Sequence, residues 1–313
     1  MKKVGILGGG QLARMLVQKG ADLGFEMHVL SESPEDPAAQ VTSFWHQGAL
    51  TRENVLEFSQ HVSYLTFESE FLDIKALKGV RKVIYPKPSL MGKLRDRWFQ
   101  KRLLEEYGIP TARYQRADQV TPTSPFYGKR AVFKKRLFGY DGYGTSVMTG
   151  LKDWKKAPLS EDYIVEEWVP FQRELAVSFA RNPQGQLSEF PLVETFQENS
   201  RCLWVKGPVF CRAFSTLKKK IKSFLEEIQY VGVIAFELFE VQGQLLVNEL
   251  APRVHNSAHY SLNAASADQF TLHLKALVNA PLPSKVRALT GGFFMLNLLG
   301  RKKVPVAPEG FYY

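Results

Sequence analysis

Residues 231–260 read VGVIAFELFEVQGQLLVNELAPRVHNSAHY. Two apolar runs, IAFELFE (234–240) and QLLVNEL (244–250), flank Gln242-Gly243, the composition of a β-hairpin with its turn. An odd-numbered loop centred on Gly243 sets Glu237 directly across from Glu249. Facing carboxylates destabilise a sheet unless a cation lies between them, and hard oxygen ligands of this kind suit Mg²⁺. Asn256, a few residues on, offers a further oxygen. Arg253, His255 and His259 place cationic or titratable groups alongside. The end of this hairpin therefore has the composition of a site that handles negative charge. The alternative is a solvent-facing Glu237 followed by a polar turn. Two acids embedded in otherwise apolar strands weigh against it.

The composition sets the bounds. A chain of 313 residues is long for one core, so two or three packed domains are expected. Its 45% hydrophobic and 23% charged content is that of an ordinary globular protein. No segment approaches a membrane-spanning length and no signal peptide precedes the first strand, so no membrane partner and a cytoplasmic location are expected. Cys202 and Cys211 are the only cysteines, with no metal-ligand spacing around them. The net charge of +10 is dispersed. Its densest cluster, Lys218-Lys219-Lys220 with Lys222, shares a helix with Leu217, Ile221, Phe224, Leu225 and Ile228. That pattern is a solvated face rather than a nucleic-acid reader. A phosphate-rich small substrate accounts for the positive field equally well.

Along the chain, strands at 3–7, 26–30, 63–66 and 82–85 alternate with helices at 11–23 and 51–61, the second capped by Thr51. This is a doubly wound α/β unit of Rossmann type. One long helix over 89–107 stops at Gly108, with Pro110 beyond. Strands at 131–135, 146–148, 163–166 and 175–180, divided by Gly- and Pro-containing loops, form an α+β part. A helix over 264–278 and a last strand over 292–299 follow the hairpin. The expected domains are 1–95, 96–170 and 171–313.

Three further motifs carry chemistry. Gly8-x-Gly10-x-x-Ala13 follows a strand, opens a helix and satisfies the dinucleotide fingerprint, with Glu32 at the distance of a ribose-binding acid. Any phosphate or ribose can use the same glycines and helix-end N–H groups, so the loop sets a geometry and not a ligand. Glu68 and Glu70 stand at the end of the fourth strand, placed either to bond hydroxyls or as exposed loop acids. Lys134 precedes Gly139-Tyr140-Asp141-Gly142-Tyr143-Gly144, a loop whose N–H groups can close over phosphates or simply turn a hairpin. Glu166-Glu167-Trp168-Val169 and then Glu174 form a strand edge suited to an adenine and its ribose.

In this order and spacing, GILGGGQLARM (5–15), DRWFQK (96–101), GIPTA (108–112), FKKRLFGYDGYG (133–144), IVEEWV (164–169) and the closing NELAPRVHNSAHY (248–260) resemble the ATP-grasp ligases. Among them the chain is similar to the N5-carboxyaminoimidazole ribonucleotide synthetase family over nearly its whole length. The resemblance implies a Rossmann-like pre-ATP-grasp domain followed by a two-lobed ATP-grasp fold. It also implies an enzyme of purine biosynthesis that joins bicarbonate to aminoimidazole ribonucleotide through carboxyphosphate, using ATP and Mg²⁺, as a homodimer. By the same resemblance Arg97 and Lys134 contact ATP phosphates under the loop of Gly139, Gly142 and Gly144. Glu166, Glu167, Trp168 and Val169 hold the adenine, and Glu174 the ribose. Glu237 and Glu249 bind the metal beside Asn248, while Tyr140, Asp141, Arg253 and His255 surround bicarbonate and the acceptor amine. Gln11, Leu12, Glu68, Glu70, Asn256 and Ser257 fall to the ribonucleotide. His255 is a proton acceptor or an orienting group.

The chain departs from the family pattern at several points. Tyr143 stands where the loop usually carries Arg or Lys. Phe138 and Ala258 replace glycines, and Gln197 replaces a nucleotide-contacting histidine. The chain ends at Tyr313, before the family's basic segment for the ribotide phosphate; Arg301-Lys302-Lys303 matches no family motif. Rival readings are an ATP-grasp ligase with another acceptor, a nucleotide-binding homologue without catalysis, and an NAD-dependent oxidoreductase resting on the first loop alone.

Overall fold

The computed structural model describes residues 1–139, 143–198 and 201–298. Its first sheet is parallel, in the order β3-β2-β1-β4-β5, from β1 (Lys3–Leu7), β2 (Glu26–Ser31), β3 (Phe44–Gln47), β4 (Tyr64–Phe67) and β5 (Val83–Ile84). β1 (KVGIL) is apolar after Lys3, and β2 is buried from Met27 to Ser31, because helices cover both faces of such a sheet. Thr51 caps the helix Arg52–Ser59 by accepting from the Asn54 N–H at 3.3 Å, as expected. β3 has no counterpart among the expected strands. It is a short edge strand, with Phe44 exposed, and its FWHQ sequence lacks the apolar run that marked the others.

The second sheet is antiparallel, in the order β6-β9-β7-β8, from β6 (Tyr114–Arg116), β7 (Ala131–Lys135), β8 (Thr145–Met148) and β9 (Tyr163–Glu167). The third runs β15-β14-β10-β12-β13-β16. Its members are β10 (Arg173–Arg181), β11 (Leu187–Glu189, paired to β10), β12 (Val193–Glu198), β13 (Arg201–Gly207), β14 (Gly232–Val241), β15 (Gln244–Ala251) and β16 (Phe293–Leu296). On one face of this sheet the helix Phe214–Glu227 buries Phe214, Leu217, Ile221, Phe224 and Leu225 against Ile234, Phe236 and Leu238. Burying each such side chain contributes about 1.5–3 kcal/mol. The lysines of that helix lie outside this stripe, and Lys218 and Lys222 both pair with Glu189. A second core joins Ala13, Leu16 and Val17 of the first domain to Phe270, Leu274 and Leu277 of the helix Gln269–Leu277. That shared core fixes the Rossmann-like unit against the third sheet.

Two expected helices are broken. The span 89–107 divides into Pro88–Leu94 and Arg97–Glu106. Asp96 is extended between them, caps the second helix by accepting from the Trp98 N–H at 2.9 Å, and is gripped by Arg136 at 2.7 Å. Of the span 264–278 only Gln269–Leu277 is helical beyond Ala264, which closes a separate short helix Ser261–Ala264, and Asp268 starts the later one by accepting from the Thr271 N–H at 2.8 Å. In both places a carboxylate that satisfies a new helix start outweighs continuation of the old one.

Candidate active site

The hairpin β14–β15 is present, and Glu237 faces Glu249, but not through an odd loop. Val241 pairs with Gln244, so the turn has two residues, Gln242 (φ 49°) and Gly243 (φ 75°), both in the left-handed region that such a turn requires. Leu238 then pairs with Val247, and the register shifts by one before Glu237 meets Glu249. The extra residue is Asn248, a β-bulge that re-aims the strand. The bulge therefore brings the two acids and Asn248 into the lining of one cavity.

That cavity, about 180 Å³, lies between the three sheets. Among its lining residues are Arg97, Lys134, Gly139, Glu70, Arg253, His255 and Asn256. Arg97 donates to Glu249 Oε2 from Nε at 3.2 Å and from Nη2 at 3.0 Å, and to the carbonyls of Lys135 and Gly139 at 3.1 Å. It ties one acid to the start of the glycine loop. Lys134 Nζ donates to Asn248 Oδ1 at 2.8 Å and to Glu166 Oε2 at 3.0 Å. Arg253 donates to both oxygens of Glu70, and Nη2 does so at 3.3 Å.

The facing acids are held differently. Burial raises both, but Arg97 and Lys134 outweigh it at Glu249, whose carboxyl is held well below the ordinary range. At Glu237 burial is joined by repulsion from Glu249, and the group is pushed up to about 8. Glu237 Oε1 accepts from Gln197 Nε2 at 3.2 Å and lies 3.6 Å from His255 Nε2. Burial, with Arg253 next, pulls His255 down to about 3, so its ring is neutral near pH 7. A facing carboxylate pair beside an amide oxygen is a set of hard oxygen donors, and it fits a divalent cation such as Mg²⁺. Among the described residues no group of three or more His, Cys, Asp or Glu is arranged to hold a metal. Such an ion would need further oxygens, which a bound polyphosphate has.

The loop 255–259 is set by a residue the sequence did not single out. Gln269 accepts from the His255 N–H at 2.8 Å and donates to the His255 carbonyl at 2.9 Å. Gln100 does the same for β15, donating to the Leu250 carbonyl at 2.9 Å and accepting from its N–H at 3.3 Å. Buried glutamines that mimic a strand edge leave no periodic signal.

Other candidates stand outside the cavity. Glu68 accepts from the Ala13 N–H at 3.4 Å, and a Cβ on Gly8 (φ 108°) would come within 2.5 Å of it. Its carboxylate, raised by burial, occupies the helix start where a dinucleotide's phosphates would sit. Gln11 is exposed and Leu12 half-buried at that helix start. The Glu166 side chain points to Lys134 and is not among the cavity's lining residues. Glu167 is bonded to Arg113 at 2.7 Å, and the Arg130 guanidinium lies 3.5 Å from the centre of the Trp168 ring. Val169 is buried, and Glu174 is raised by burial to about 7. Ser257 Oγ is 2.9 Å from His255 Nδ1. Tyr140, Asp141 and Gly142, with Arg301-Lys302-Lys303, lie outside the described residues.

Comparison with known proteins gives a consistent result. Residues 1–92 match the ribonucleotide synthetase preATP-grasp domain and residues 102–270 the ATP-grasp domain. The N5-carboxyaminoimidazole ribonucleotide synthase of Synechococcus elongatus is 37% identical over 96% of this chain and 79% of its own length. The N5-carboxyaminoimidazole synthetase of Staphylococcus aureus complexed with ADP superposes with a TM-score of 0.89 at 27% identity, covering 95% of this chain and 82% of that one. The Aspergillus clavatus N5-carboxyaminoimidazole synthase in complex with ADP and 5-aminoimidazole ribonucleotide gives 0.86 at 28% identity, covering 96% and 83%.

Proposed function

Since the chain belongs to the ATP-grasp family, and within it to the N5-carboxyaminoimidazole ribonucleotide synthases, we propose that it uses ATP to carboxylate aminoimidazole ribonucleotide in purine biosynthesis. Bicarbonate is the carbon source. The observation that supports this most is that Glu237 and Glu249, opposed across the hairpin, line one cavity together with Lys134, Arg97 and Arg253. A polyanion meets cations there, and two acids remain for a metal.

In this reading Glu237 and Glu249, with Asn248 beside them, would hold Mg²⁺, which would offset charge on the phosphates. Arg97 and Lys134 grip the triphosphate, and the loop from Gly139 closes over it. The bicarbonate oxygen attacks the γ-phosphorus in line and the bond to the β-phosphate bridging oxygen breaks, leaving carboxyphosphate and ADP. The acceptor amine then attacks the carboxyl carbon, and inorganic phosphate departs with the C–O bond. Arg253, anchored by Glu70, offsets charge on the transferred groups. Neutral His255 accepts the amine's proton or orients the acceptor. The main chain of Glu166 to Val169, with Glu174, seats the adenosine, and Gln11, Leu12, Glu68, Asn256 and Ser257 face the ribonucleotide. Residues 1–95, 96–170 and 171–313 serve as the working units of a cytoplasmic homodimer.

The test is ADP release with bicarbonate, with and without aminoimidazole ribonucleotide. Release that requires the ribonucleotide is expected. Release indifferent to it points to another acceptor, and nucleotide binding without release points to a homologue that does not catalyse. Tyr143 gives a second check. It is 62% exposed, and Lys135 Nζ lies 5.7 Å from its ring centre. Tyr143→Arg adds a cation to the loop and is expected to raise kcat/KM for the ribonucleotide about tenfold, the size of one charge-assisted contact. An unchanged value would show that the loop works here without it.

A further inference from the structure

Lys101 stands one helical turn beyond Arg97 on the helix Arg97–Glu106, and its side chain is 3% exposed. Its Nζ donates to Thr111 Oγ1 at 2.6 Å and lies 3.3 Å from Glu166 Oε1. Glu166 is equally buried, and its other oxygen accepts from Lys134 Nζ at 3.0 Å. Lys134 lines the cavity and continues the chain to Asn248, the bulge residue between the facing acids. Thr111 Oγ1 also donates to the Val247 carbonyl at 2.7 Å, which ties Lys101 to the strand that carries Asn248. One helix, two strands of the second sheet and the hairpin thus meet at a buried row of two ammonium groups and one carboxylate.

The charge count of this row decides what faces the cavity. Glu166 with Lys134 alone would be a neutral pair, and Lys134 would have little charge left for a ligand. With Lys101 behind it, the row carries one net positive charge, and the only member open to the cavity is Lys134. We propose that Lys101 is a positioning residue for the nucleotide: by neutralising Glu166 from the buried side it frees the charge of Lys134 and fixes its Nζ for the triphosphate. The proposal rests on the reading of the cavity as an ATP site and adds a residue that never touches the ligand.

Stability does not account for this arrangement. A buried ion row recovers its desolvation cost only in part, and well-packed apolar replacements of similar volume are often as stable or more so. Burial pulls Lys101 down to about 8, against the attraction of Glu166, so the ammonium form still dominates at pH 7. Glu166 stays below its ordinary range despite burial because both lysines face it.

The test uses the full chain and Mg²⁺ with the non-hydrolysable analogue AMP-PNP, read by calorimetry, together with KM for ATP and kcat from ADP release. Lys101→Met is expected to weaken AMP-PNP binding and raise KM for ATP by about tenfold or more, with kcat changed much less. The double variant Lys101→Met/Glu166→Gln is expected to return binding to within about threefold of wild type, because a neutral amide at position 166 no longer claims Lys134. Wild-type binding by Lys101→Met, or equal loss in the single and double variants, would overturn the proposal in favour of a packing role. Should Lys101→Met not fold, Lys101→Gln decides by the same measure: a loss of about tenfold in AMP-PNP binding supports the charge count, and binding within about threefold of wild type overturns it. AMP-PNP binding needs neither bicarbonate nor the ribonucleotide, so an error in the acceptor leaves the test intact. A wild-type chain that binds no AMP-PNP would overturn the ATP site together with this inference.

Discussion

Glu249→Gln is expected to lower Mg²⁺-dependent ADP release by about 1,000-fold, the scale of losing a preorganised charge at a reacting phosphate. Two losses coincide in this one atom change. Glu249 is half of the carboxylate pair proposed to hold the metal, and it is the acid that Arg97 grips with two N–H groups. A glutamine keeps the volume and one acceptor but removes the charge that orients the guanidinium. The fold is expected to survive, because β15 is held by its backbone ladder to β14 and by Gln100, not by this side chain. The variant relieves the repulsion that holds Glu237 up but leaves the Arg97 guanidinium without its acid, so the melting temperature is expected to fall by several degrees while unfolding stays cooperative. ADP release and a thermal melt on the same preparation decide the matter. A variant that retains a tenth of the wild-type rate would remove Glu249 from the metal site.

The second large effect concerns stability in acid. His273 is 1% exposed on the helix Gln269–Leu277. It accepts the Val233 N–H at Nδ1 (3.1 Å), which leaves Nε2–H to donate to Thr66 Oγ1 at 2.7 Å. One neutral imidazole thus joins β4 of the first domain, β14 of the third sheet and the helix between them. Burial pulls it down to about 4 from 6.5. Above pH 6.5 neither the folded nor the unfolded chain protonates it, and its contribution is complete. Between pH 6.5 and 4 the unfolded chain takes up a proton that the native ring refuses, so stability falls as pH falls. Below pH 4 both are protonated and the loss levels off at about 3 kcal/mol. His255 and His259, held down to about 3 and about 4, act in the same direction. Urea unfolding at about pH 7 and about pH 4.5 is expected to show wild type losing about 2 kcal/mol more than His273→Gln across that interval. Equal losses would show that the ring titrates freely in the native state.

The candidate site was legible where chemistry follows local pattern. Alternation in 234–240 and 244–250, with Gln242-Gly243 between, was enough to set Glu237 against Glu249. The right pair came through a wrong loop: the turn is even, and a bulge at Asn248 shifts the register back by one. Bulges are set by the shape a strand must take against its neighbours, and NEL looks like any other strand segment. The same limit explains the broken helices. Asp96 and Asp268 sit in helical patterns, and each becomes a start only because its carboxylate finds an orphan N–H, at Asp96 with Arg136 brought from beyond a distant strand.

The division between the two sources of information follows range. Apolar alternation, the Gln-Gly turn, the Thr51 cap and the glycine-rich loops act within a few residues, and they determined the α/β and antiparallel parts and the acids at the hairpin's end. Charge pairing and buried hydrogen bonding act between whichever groups folding brings within a few ångströms. Lys101 with Glu166, Arg97 with Glu249, Arg253 with Glu70 and His273 with Thr66 join residues 65 to 207 positions apart. In the sequence Lys101 is one more lysine on an amphipathic helix. Only the meeting of that helix with two sheets buries it, and burial is what makes its charge matter.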